Sequence, residues 1–217
     1  MNLPDFTIEN QYWRDRKLIT GIDEAGRGSL AGPVVAAAVV LPPYNLFSKE
    51  INDSKKLRAA KRDELFDIIQ NNAISIGIGI VDSSIIDKIN ILNATFLAME
   101  IAISKLNTHP EIYLIDGNRF SKKSDNYITI IDGDSKSYSI ASASIIAKVV
   151  RDRMMTDTFH HIFPEYGFNE HFGYGTKFHF MKIDEYGPCL IHRTTFLRKY
   201  FARKNQTLHD MGLSNSR

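Results

Sequence analysis

Short apolar strands alternate with amphipathic helices along most of this chain, and this alternation is the strongest constraint on its fold. Five segments of extended apolar pattern predict strands: LITGID, PVVAAAVVLPP, AISIGIGIV, EIYLID and YITIID. Segments with three- and four-residue apolar spacing predict helices: KRDELFDIIQNN, the run from Ile89 to Leu106, and SASIIAKVVRDRMM. Strands interleaved with helices predict an α/β sheet that is covered on both faces. The pattern alone leaves the direction of each strand open.

The size and composition of the chain suit one globular domain. Its 217 residues are enough to bury a full core, and 43% hydrophobic with 24% charged residues exclude a disordered or fibrous protein. The formal net charge of +2 is too small to argue for nucleic-acid binding, so any basic surface must be local. We expect a monomer by default.

The sequence carries no sign of export or of a membrane segment. Its longest strongly apolar run, Val34 to Leu41, is much shorter than a membrane span. The first residues lack the basic start and the apolar core of a secretory signal, and the single cysteine, Cys189, cannot form an internal disulfide. We therefore expect a cytoplasmic protein without a membrane partner.

Acidic residues stand at the ends of predicted strands. Asp23 and Glu24 close the first strand, Asp116 closes EIYLID, and Asp134 follows YITIID. Carboxylates at the ends of neighbouring strands converge in space, and they repel one another unless a cation neutralises them. Such hard oxygen ligands suit Mg²⁺ or Mn²⁺. Each acid taken alone could be an ordinary turn residue, and spacing does not separate Asp132 from Asp134 as the last member of the group.

The loop after the first two acids is rich in glycine. Gly26, Arg27 and Gly28 do not form a dinucleotide-binding loop, because the next glycine is Gly32 and a strand-like segment follows. Glycines let the main chain approach a ligand closely, and an arginine there can bind a phosphate or an acid. The two adjacent acids would face opposite sides of a regular strand. We therefore expect the strand to unravel before Gly26 if both serve one site.

Six blocks of the sequence resemble, in order, the bacterial ribonuclease HII family over about Leu18 to Phe196: GIDEAGRGSLAGPVVAAAVVLPP, NDSKKL, YLIDGN, GDSKSYSIASASIIAKVVRDRMM, YGFNEHFGYGT and YGPCLIHRTTF. The resemblance implies a ribonuclease H-like fold, with a five-stranded mixed sheet flanked by helices and a C-terminal helical extension. It divides the chain into an N-terminal helix over 1–17, a catalytic core over 18–162, a substrate-binding extension over 163–202 and a flexible tail over 203–217. It also favours Asp134 over Asp132, because the family's acid precedes a helix start rich in serine and alanine.

The same resemblance implies an activity. Enzymes of this family cleave the RNA strand of RNA/DNA hybrids and cut on the 5′ side of single ribonucleotides in duplex DNA, in ribonucleotide excision repair and RNA primer removal. The catalytic and metal-binding set would be Asp23, Glu24, Asp116 and Asp134, holding two Mg²⁺ or Mn²⁺ ions and leaving 3′-hydroxyl and 5′-phosphate ends. A contact with a replication clamp is left open.

Substrate contacts are expected from seven residues: Gly26, Arg27, Gly28, Lys55, Lys56, Tyr174 and Arg193. The first three match the family's GRG loop, Tyr174 matches its junction-sensing tyrosine, and the basic side chains are expected to bind phosphates without reading sequence. The chain departs from the family pattern at Ser29, where proline is usual, at Phe172, where lysine is usual, and at the Thr194–Thr195 pair in a block that is usually basic. Two alternatives are a hybrid-binding module without catalysis and another nuclease of the same fold, such as a junction resolvase or a hybrid-only ribonuclease.

Overall fold

A computed structural model of the protein describes residues 3–121 and 126–210, with side chains up to residue 204. A mixed sheet forms its centre, with the strands β1 (Ile19–Ala25), β2 (Val34–Val40), β3 (Ser75–Val81), β4 (Ile112–Asp116) and β5 (Tyr127–Ile130). The strand order is β3-β2-β1-β4-β5. Strand β2 is antiparallel to both neighbours, whereas β4 is parallel to β1 and to β5. The predicted α/β class with a five-stranded mixed sheet is confirmed.

Helices cover both faces of this sheet and continue beyond it at the C-terminal end. They are α1 (Asn10–Trp13), α2 (Ala59–Asn72), α3 (Ser83–Ser104), α4 (Tyr138–Arg153), α5 (His160–Ile162), α6 (Phe168–His171), α7 (Lys177–Tyr186) and α8 (Thr194–Asp210). Short 3₁₀ turns lie at Ser54–Lys56, Gly133–Ser135 and Pro164–Tyr166, and a π-helical turn at Met154–Phe159 follows α4. Within the described ranges, no helix has the length and apolar character needed to cross a membrane.

Strand β2 is apolar throughout because it is buried on both faces. Ala37 and Val39 belong to the core that α2 and α4 form on one side of the sheet. Ala36 and Ala38 belong to the core that α3 forms on the other side. A strand covered in this way has no solvent face, so the sequence VVAAAVV shows no polar alternation.

Helix α3 begins earlier than its sequence pattern predicted. The carboxylate of Asp82 accepts a hydrogen bond of 2.9 Å from the amide of Ile85 and caps the helix start at Ser83. The backbone of Asn90 leaves the helical conformation, with φ 66°, and its side chain accepts from the amide of Asn93 at 3.1 Å. The helix therefore restarts near the predicted boundary, with a kink between its two parts.

The N-terminal segment is helical over a shorter stretch than expected. Asp5 pairs with Ser137 in a parallel bridge, and its carbonyl accepts from the amide of Tyr138 at 3.0 Å, which keeps this part extended. The buried carboxylate of Glu9 accepts from the Ser137 hydroxyl at 2.6 Å and from the amide of Ser139 at 2.9 Å. The segment thus holds the N-terminal end of α4, and only α1 corresponds to the helix predicted over 1–17.

The C-terminal helix α8 extends into the region expected to be a flexible tail. Its residues 203–210 are helical, and residues 211–217 lie outside the described part of the chain. Asp87 in α3 holds the start of α8, because its two carboxylate oxygens accept from the amides and hydroxyls of Thr194 and Thr195. These threonines, which depart from the family pattern, therefore join the extension to the core.

Candidate active site

Asp23 and Asp116 lie at the ends of adjacent parallel strands. The pairing of β1 with β4 runs as far as Ile22 opposite Ile115, so the next residue of each strand is one of these acids. Contrary to the expected unravelling, β1 remains paired with β2 through both of its acids, with Asp23 opposite Ala37. The chain leaves the regular strand only after Ala25, at Gly26, where φ is +93°.

Asp23 is the most enclosed of the four carboxylates, with 3% of its surface exposed. Burial raises the pKa of Asp23 well above its usual value, and the charges of Glu24 and Asp116 raise it further. A hydrogen bond from Ser144 opposes this shift, and the Ser144 hydroxyl lies 2.9 Å from that of Ser54. The two serine hydroxyls thus form a hydrogen-bonded pair next to the carboxylate of Asp23.

Asp116 and Asp134 are joined through the 3₁₀ turn that carries Asp134. The Oδ1 atom of Asp116 accepts a 2.7 Å hydrogen bond from the amide of Gly133. Burial raises the pKa of Asp134 to about 6, and the charges of Asp53 and Asp116 add to the effect. Asp132 is exposed, with φ 53°, and has no comparable contact. The geometry thus places Asp134, and not Asp132, in the acidic group.

Glu24 lies beside the same group but is held by an arginine. Burial raises the pKa of Glu24, and Arg27 opposes this through its charge and a hydrogen bond of 3.1 Å from Nη1 to Oε1. The charge of Asp116 acts in the same direction as burial. Asp116 is therefore the acid whose charge is felt by each of the other three.

Among residues 3–121 and 126–204, Lys55 is the lysine that forms an ion pair with one of these four carboxylates. Its Nζ lies 4.0 Å from Oδ2 of Asp134, and its side chain is 77% exposed. Partial burial lowers the pKa of Lys55, but the charges of Asp23 and Asp134 outweigh this and raise it overall. A raised lysine pKa next to raised carboxyl pKa values marks a region of concentrated negative charge.

The donor set fits a hard divalent cation in its chemistry, although the side chains are not yet arranged around one. In residues 3–121 and 126–204, no three His, Cys, Asp or Glu side chains are grouped tightly enough to form a metal site as they stand. Some oxygens have protein partners instead: Glu24 Oε1 binds Arg27, and Asp23 Oδ1 accepts from the amide of Glu24 at 2.7 Å. A divalent cation would offset the burial and the mutual repulsion that raise the carboxyl pKa values of Asp23, Glu24 and Asp134.

A cleft of about 500 Å³ adjoins the acids and contains most of the predicted substrate-binding residues. Its lining includes Glu24, the loop Gly26–Gly28, Lys55 and Tyr174. The segment that follows the glycine loop is bonded to the residue before Tyr174, because the carbonyl of Gly173 accepts from the amides of Leu30 and Ala31 at 2.8 and 3.3 Å. The tertiary fold therefore brings together segments that are far apart in the sequence.

Two predicted substrate contacts are not part of this cleft. Arg193 is 0% exposed, and its guanidinium donates to the carbonyls of Gly32, at 2.9 and 3.1 Å, and Arg27, at 2.9 Å. It cannot reach a phosphate, so the expectation for Arg193 is corrected: its side chain supports the glycine loop. Lys56 does not line the cleft, and its Nζ lies 3.6 Å from Asp53 Oδ2.

The structure also adds residues that sequence reasoning missed. Lys148 lines the cleft, and its Nζ lies 5.2 Å from the ring centroid of Tyr174 and 5.1 Å from that of Phe172. Helical spacing could have identified it, because Lys148 is four residues after Ser144 on α4 and shares its face. Asp53, in the NDSKKL block, affects Asp134 through its charge, and no strand-end pattern marked it.

Comparisons with known proteins identify the family to which the chain is similar. The model of the Ribonuclease HII family matches residues 20–204. The ribonuclease HII of Acetivibrio thermocellus is 52% identical over 189 residues, which cover 87% of this chain and 73% of the relative. That of Syntrophus aciditrophicus is 48% identical over 207 residues, which cover 95% of this chain and 96% of the relative.

Solved structures show the same fold. Ribonuclease H2 from Pyrococcus horikoshii OT3 matches with a TM-score of 0.71 and 25% identity, covering 86% of this chain and 98% of that one. The RNase HII in a PCNA complex from Archaeoglobus fulgidus matches with a TM-score of 0.67 and 24% identity, covering 81% of this chain and 93% of that one. Bst-RNase HIII in complex with Mn²⁺ matches with a TM-score of 0.56 and 18% identity, covering 67% of this chain and 55% of that one. The last two support the fold alone.

The mixed five-stranded sheet and its solved structural neighbours place the protein in the ribonuclease H-like fold class, with carboxylates at the ends of the central strands. The family match over residues 20–204 and relatives of about 50% identity narrow this further. The chain belongs to the ribonuclease HII family and is a type 2 ribonuclease H endonuclease.

Proposed function

We propose that this enzyme cleaves the RNA strand of RNA/DNA hybrids and incises duplex DNA on the 5′ side of a single embedded ribonucleotide. The products would carry a 3′-hydroxyl and a 5′-phosphate. One observation carries the proposal: the acid Glu24, the glycine loop and Tyr174 line the same cleft, so ribose recognition and hydrolysis can occur at one place. Ribonucleotide excision repair and RNA primer removal, in the cytoplasm, are the roles that fit this activity.

Asp23, Glu24, Asp116 and Asp134 would hold the catalytic metal, as two Mg²⁺ or Mn²⁺ ions. When bound, such ions lower the pKa of the attacking water and stabilise the leaving oxygen. The chemistry of the residues supports this assignment, because the negative charge of Asp116 adds to burial in raising the pKa values of Asp23, Glu24 and Asp134. A fold neighbour, Bst-RNase HIII, is described in complex with Mn²⁺.

The protein's own groups prepare these carboxylates for that task. Ser144, whose hydroxyl lies 2.9 Å from that of Ser54, favours the charged form of Asp23, and the amide of Gly133 orients Asp116. Arg27 holds Glu24 while the site is without substrate, and the same guanidinium, whose side chain is 52% exposed, can turn to a phosphate. Oriented carboxylates lose little conformational entropy when the substrate arrives.

Recognition of a ribonucleotide requires contact with the 2′-hydroxyl, the group that distinguishes RNA from DNA at a given sugar. The backbone at Gly28 is open for this, because a Cβ added there would meet nothing within 4 Å. Tyr174 offers a phenol on the same cleft. Lys55 and Arg27 would bind the sugar-phosphate backbone, which positions the duplex without reading its sequence.

The decisive experiment compares three labelled duplexes: DNA with one ribonucleotide, a full RNA/DNA hybrid, and DNA alone. Each is incubated with Mg²⁺, with Mn²⁺ or with a chelator, and the product ends are identified by phosphatase treatment and by ligation. We expect cuts 5′ of the ribonucleotide and within the hybrid, and no cut in DNA. Retention of the duplex without cleavage would favour the hybrid-binding alternative, and cleavage of hybrids alone would refute incision at single ribonucleotides.

Contact with a replication clamp is a further proposal for this enzyme. It is motivated by the fold neighbour from Archaeoglobus fulgidus, whose structure is that of a PCNA:RNase HII complex. Sedimentation of the enzyme alone and with a purified bacterial clamp tests this together with the expected monomer. Unchanged sedimentation of the mixture at micromolar concentrations would contradict the clamp contact.

A further inference from the structure

Three buried histidines lie directly behind the loop that carries Tyr174. His171, His179 and His192 are each at most 6% exposed. The rings of His171 and His179 are stacked with centroids 4.3 Å apart, and Nε2 of His179 lies 3.0 Å from Nε2 of His192. None of these three side chains takes part in the proposed hydrolysis or contacts the substrate in it.

The outer partners of His179 and His192 determine where each proton lies. The Nδ1 atom of His179 is 3.0 Å from the carbonyl oxygen of Tyr174, which can only accept, so His179 carries its proton on Nδ1. The Nδ1 atom of His192 is 2.9 Å from the amide of Cys189, which can only donate, so the proton of His192 lies on Nε2. His192 then donates to the bare Nε2 of His179.

The chain therefore runs in one direction: from the Cys189 amide to His192, from His192 to His179, and from His179 to the Tyr174 carbonyl. Both rings must be neutral for it to form. Burial, the largest effect, lowers the pKa of His179 to about 3 and that of His192 to about 4, which agrees with neutral rings.

This chain ends on the backbone of the residue that lines the cleft. The Tyr174 carbonyl accepts from Nδ1 of His179 at 3.0 Å and from the amide of Thr176 at 2.8 Å, while the preceding residue, Gly173, donates its amide to Nδ1 of His171 at 3.2 Å. The ring of Tyr174 packs under the cation of Lys148, at 5.2 Å, and against Arg151, at 5.3 Å. The orientation of the phenol towards the substrate thus depends on backbone atoms that the histidines hold.

We propose that His179 and His192 are positioning residues for substrate specificity, which fix the Tyr174 loop through this directed hydrogen-bond chain. The inference rests on the proposed role of Tyr174 in recognising a single ribonucleotide. The histidines do not touch the substrate. They act by holding the tyrosine in the one orientation that fits a ribose at the scissile position.

The test uses His179→Phe, which keeps an aromatic ring but cannot donate, and His179→Asn, whose side-chain amide can still donate to the Tyr174 carbonyl. For His179→Phe we expect kcat on a single-ribonucleotide duplex to fall about tenfold, the effect of losing one buried hydrogen bond. KM and the affinity for an all-DNA duplex should stay unchanged. His179→Asn should recover most of the lost kcat, and Phe168→Leu, which disturbs the packing around His179 without entering the chain, should not lower kcat.

A second measurement does not depend on any variant folding. The ¹⁵N chemical shifts of the histidine rings in the wild-type enzyme should show a neutral Nδ1–H form for His179 and a neutral Nε2–H form for His192. The opposite forms, or a charged ring at neutral pH, would overturn the inference, as would wild-type kcat in a folded His179→Phe variant. Failure of the wild-type enzyme to cut a single-ribonucleotide duplex would instead refute the proposed function, so the two failures are distinguishable.

Discussion

Asp116 Oδ1 accepts a 2.7 Å hydrogen bond from the amide of Gly133, the residue immediately before Asp134. This contact links the end of β4 to the turn that leads into α4, so two acids from different elements are held in one place. A backbone donor also lowers the cost of keeping a carboxylate charged inside an acidic group. The arrangement makes Asp116 the residue on which the acidic site most depends.

Replacing Asp116 by Asn should abolish most of the activity while the fold is kept. Asn can still accept from Gly133, but it removes the negative charge that the other three carboxylates feel. We expect kcat to fall about a hundredfold or more, since metal-assisted hydrolysis depends on several kcal/mol of charge stabilisation. Asp132→Asn, a change of the same kind at the exposed neighbour, is the control. Wild-type activity in the Asp116 variant would show that the site is assigned wrongly.

Gly26 and Gly28 should respond differently to alanine. A Cβ at Gly26 would lie 2.0 Å from Nε of Arg151, and φ is +93°, so Gly26→Ala should lower the melting temperature. A Cβ at Gly28 meets nothing within 4 Å, so Gly28→Ala should melt like the wild type. It should nevertheless raise KM for a single-ribonucleotide duplex, because the added methyl group would stand where we expect the ribose. An unchanged KM would mean that the backbone there does not approach the substrate.

Lys55→Ala should lower the affinity for the substrate and make that affinity less dependent on the salt concentration. Lys55 is exposed beside the cleft, and each lost phosphate contact reduces the slope of log affinity against log salt by about 1. Lys49→Ala, at an exposed lysine outside the cleft lining, serves as the matched control. Fluorescence anisotropy over a range of salt concentrations measures the affinity and its salt dependence for each variant. Equal slopes in the two variants would exclude a phosphate contact by Lys55.

Asp87→Asn should destabilise the junction between the core and the C-terminal extension. Asn has only one side-chain oxygen, so it cannot accept from Thr194 and Thr195 with two oxygens as Asp87 does. We expect a loss of about 1–3 kcal/mol in the free energy of unfolding, because donors at the start of α8 lose their acceptor. The same substitution at the exposed Asp67 should cost almost nothing. Denaturant unfolding measures the free energy of unfolding of both variants. Equal values for Asp87→Asn and Asp67→Asn would show that Asp87 does not hold the extension.

The buried histidines should make the fold sensitive to mild acid. Their pKa values are lowered from 6.5, to about 3 for His179 and about 4 for His192, so below about pH 6.5 the unfolded chain takes up protons that the folded protein does not. This stabilisation is complete above the unfolded pKa and is lost as the pH falls towards the folded values. Between about pH 7 and pH 5 we expect a loss of about 2 kcal/mol for each histidine. In the variant His192→Phe, the loss of unfolding free energy between these two pH values should be smaller by the contribution of His192. Denaturant unfolding at both pH values measures this difference.

Much of the fold could be predicted from the sequence, because its signals are local. Apolar periodicity identified the segments of β1 to β5 and most of α2, α3 and α4, since each element must bury one face whatever its partners are. The acids at the strand ends were also visible, because a strand end and a following glycine are local features. Spacing alone could not choose between Asp132 and Asp134, and the resemblance favoured the residue that the fold buries beside Asp116.

Contacts between distant segments decided the rest. Arg193 was predicted to bind phosphates from its charge, but it is buried against the carbonyls of Gly32 and Arg27, more than a hundred residues away. Likewise, no local pattern could show that His179 reaches the carbonyl of Tyr174 while accepting from His192, or that Asp87 holds the start of α8. The sequence by itself determined which segments are strands and helices and which residue types could do chemistry, because local spacing controls both. Only the tertiary structure decided which of these residues meet, because burial and hydrogen bonding depend on where the whole chain passes.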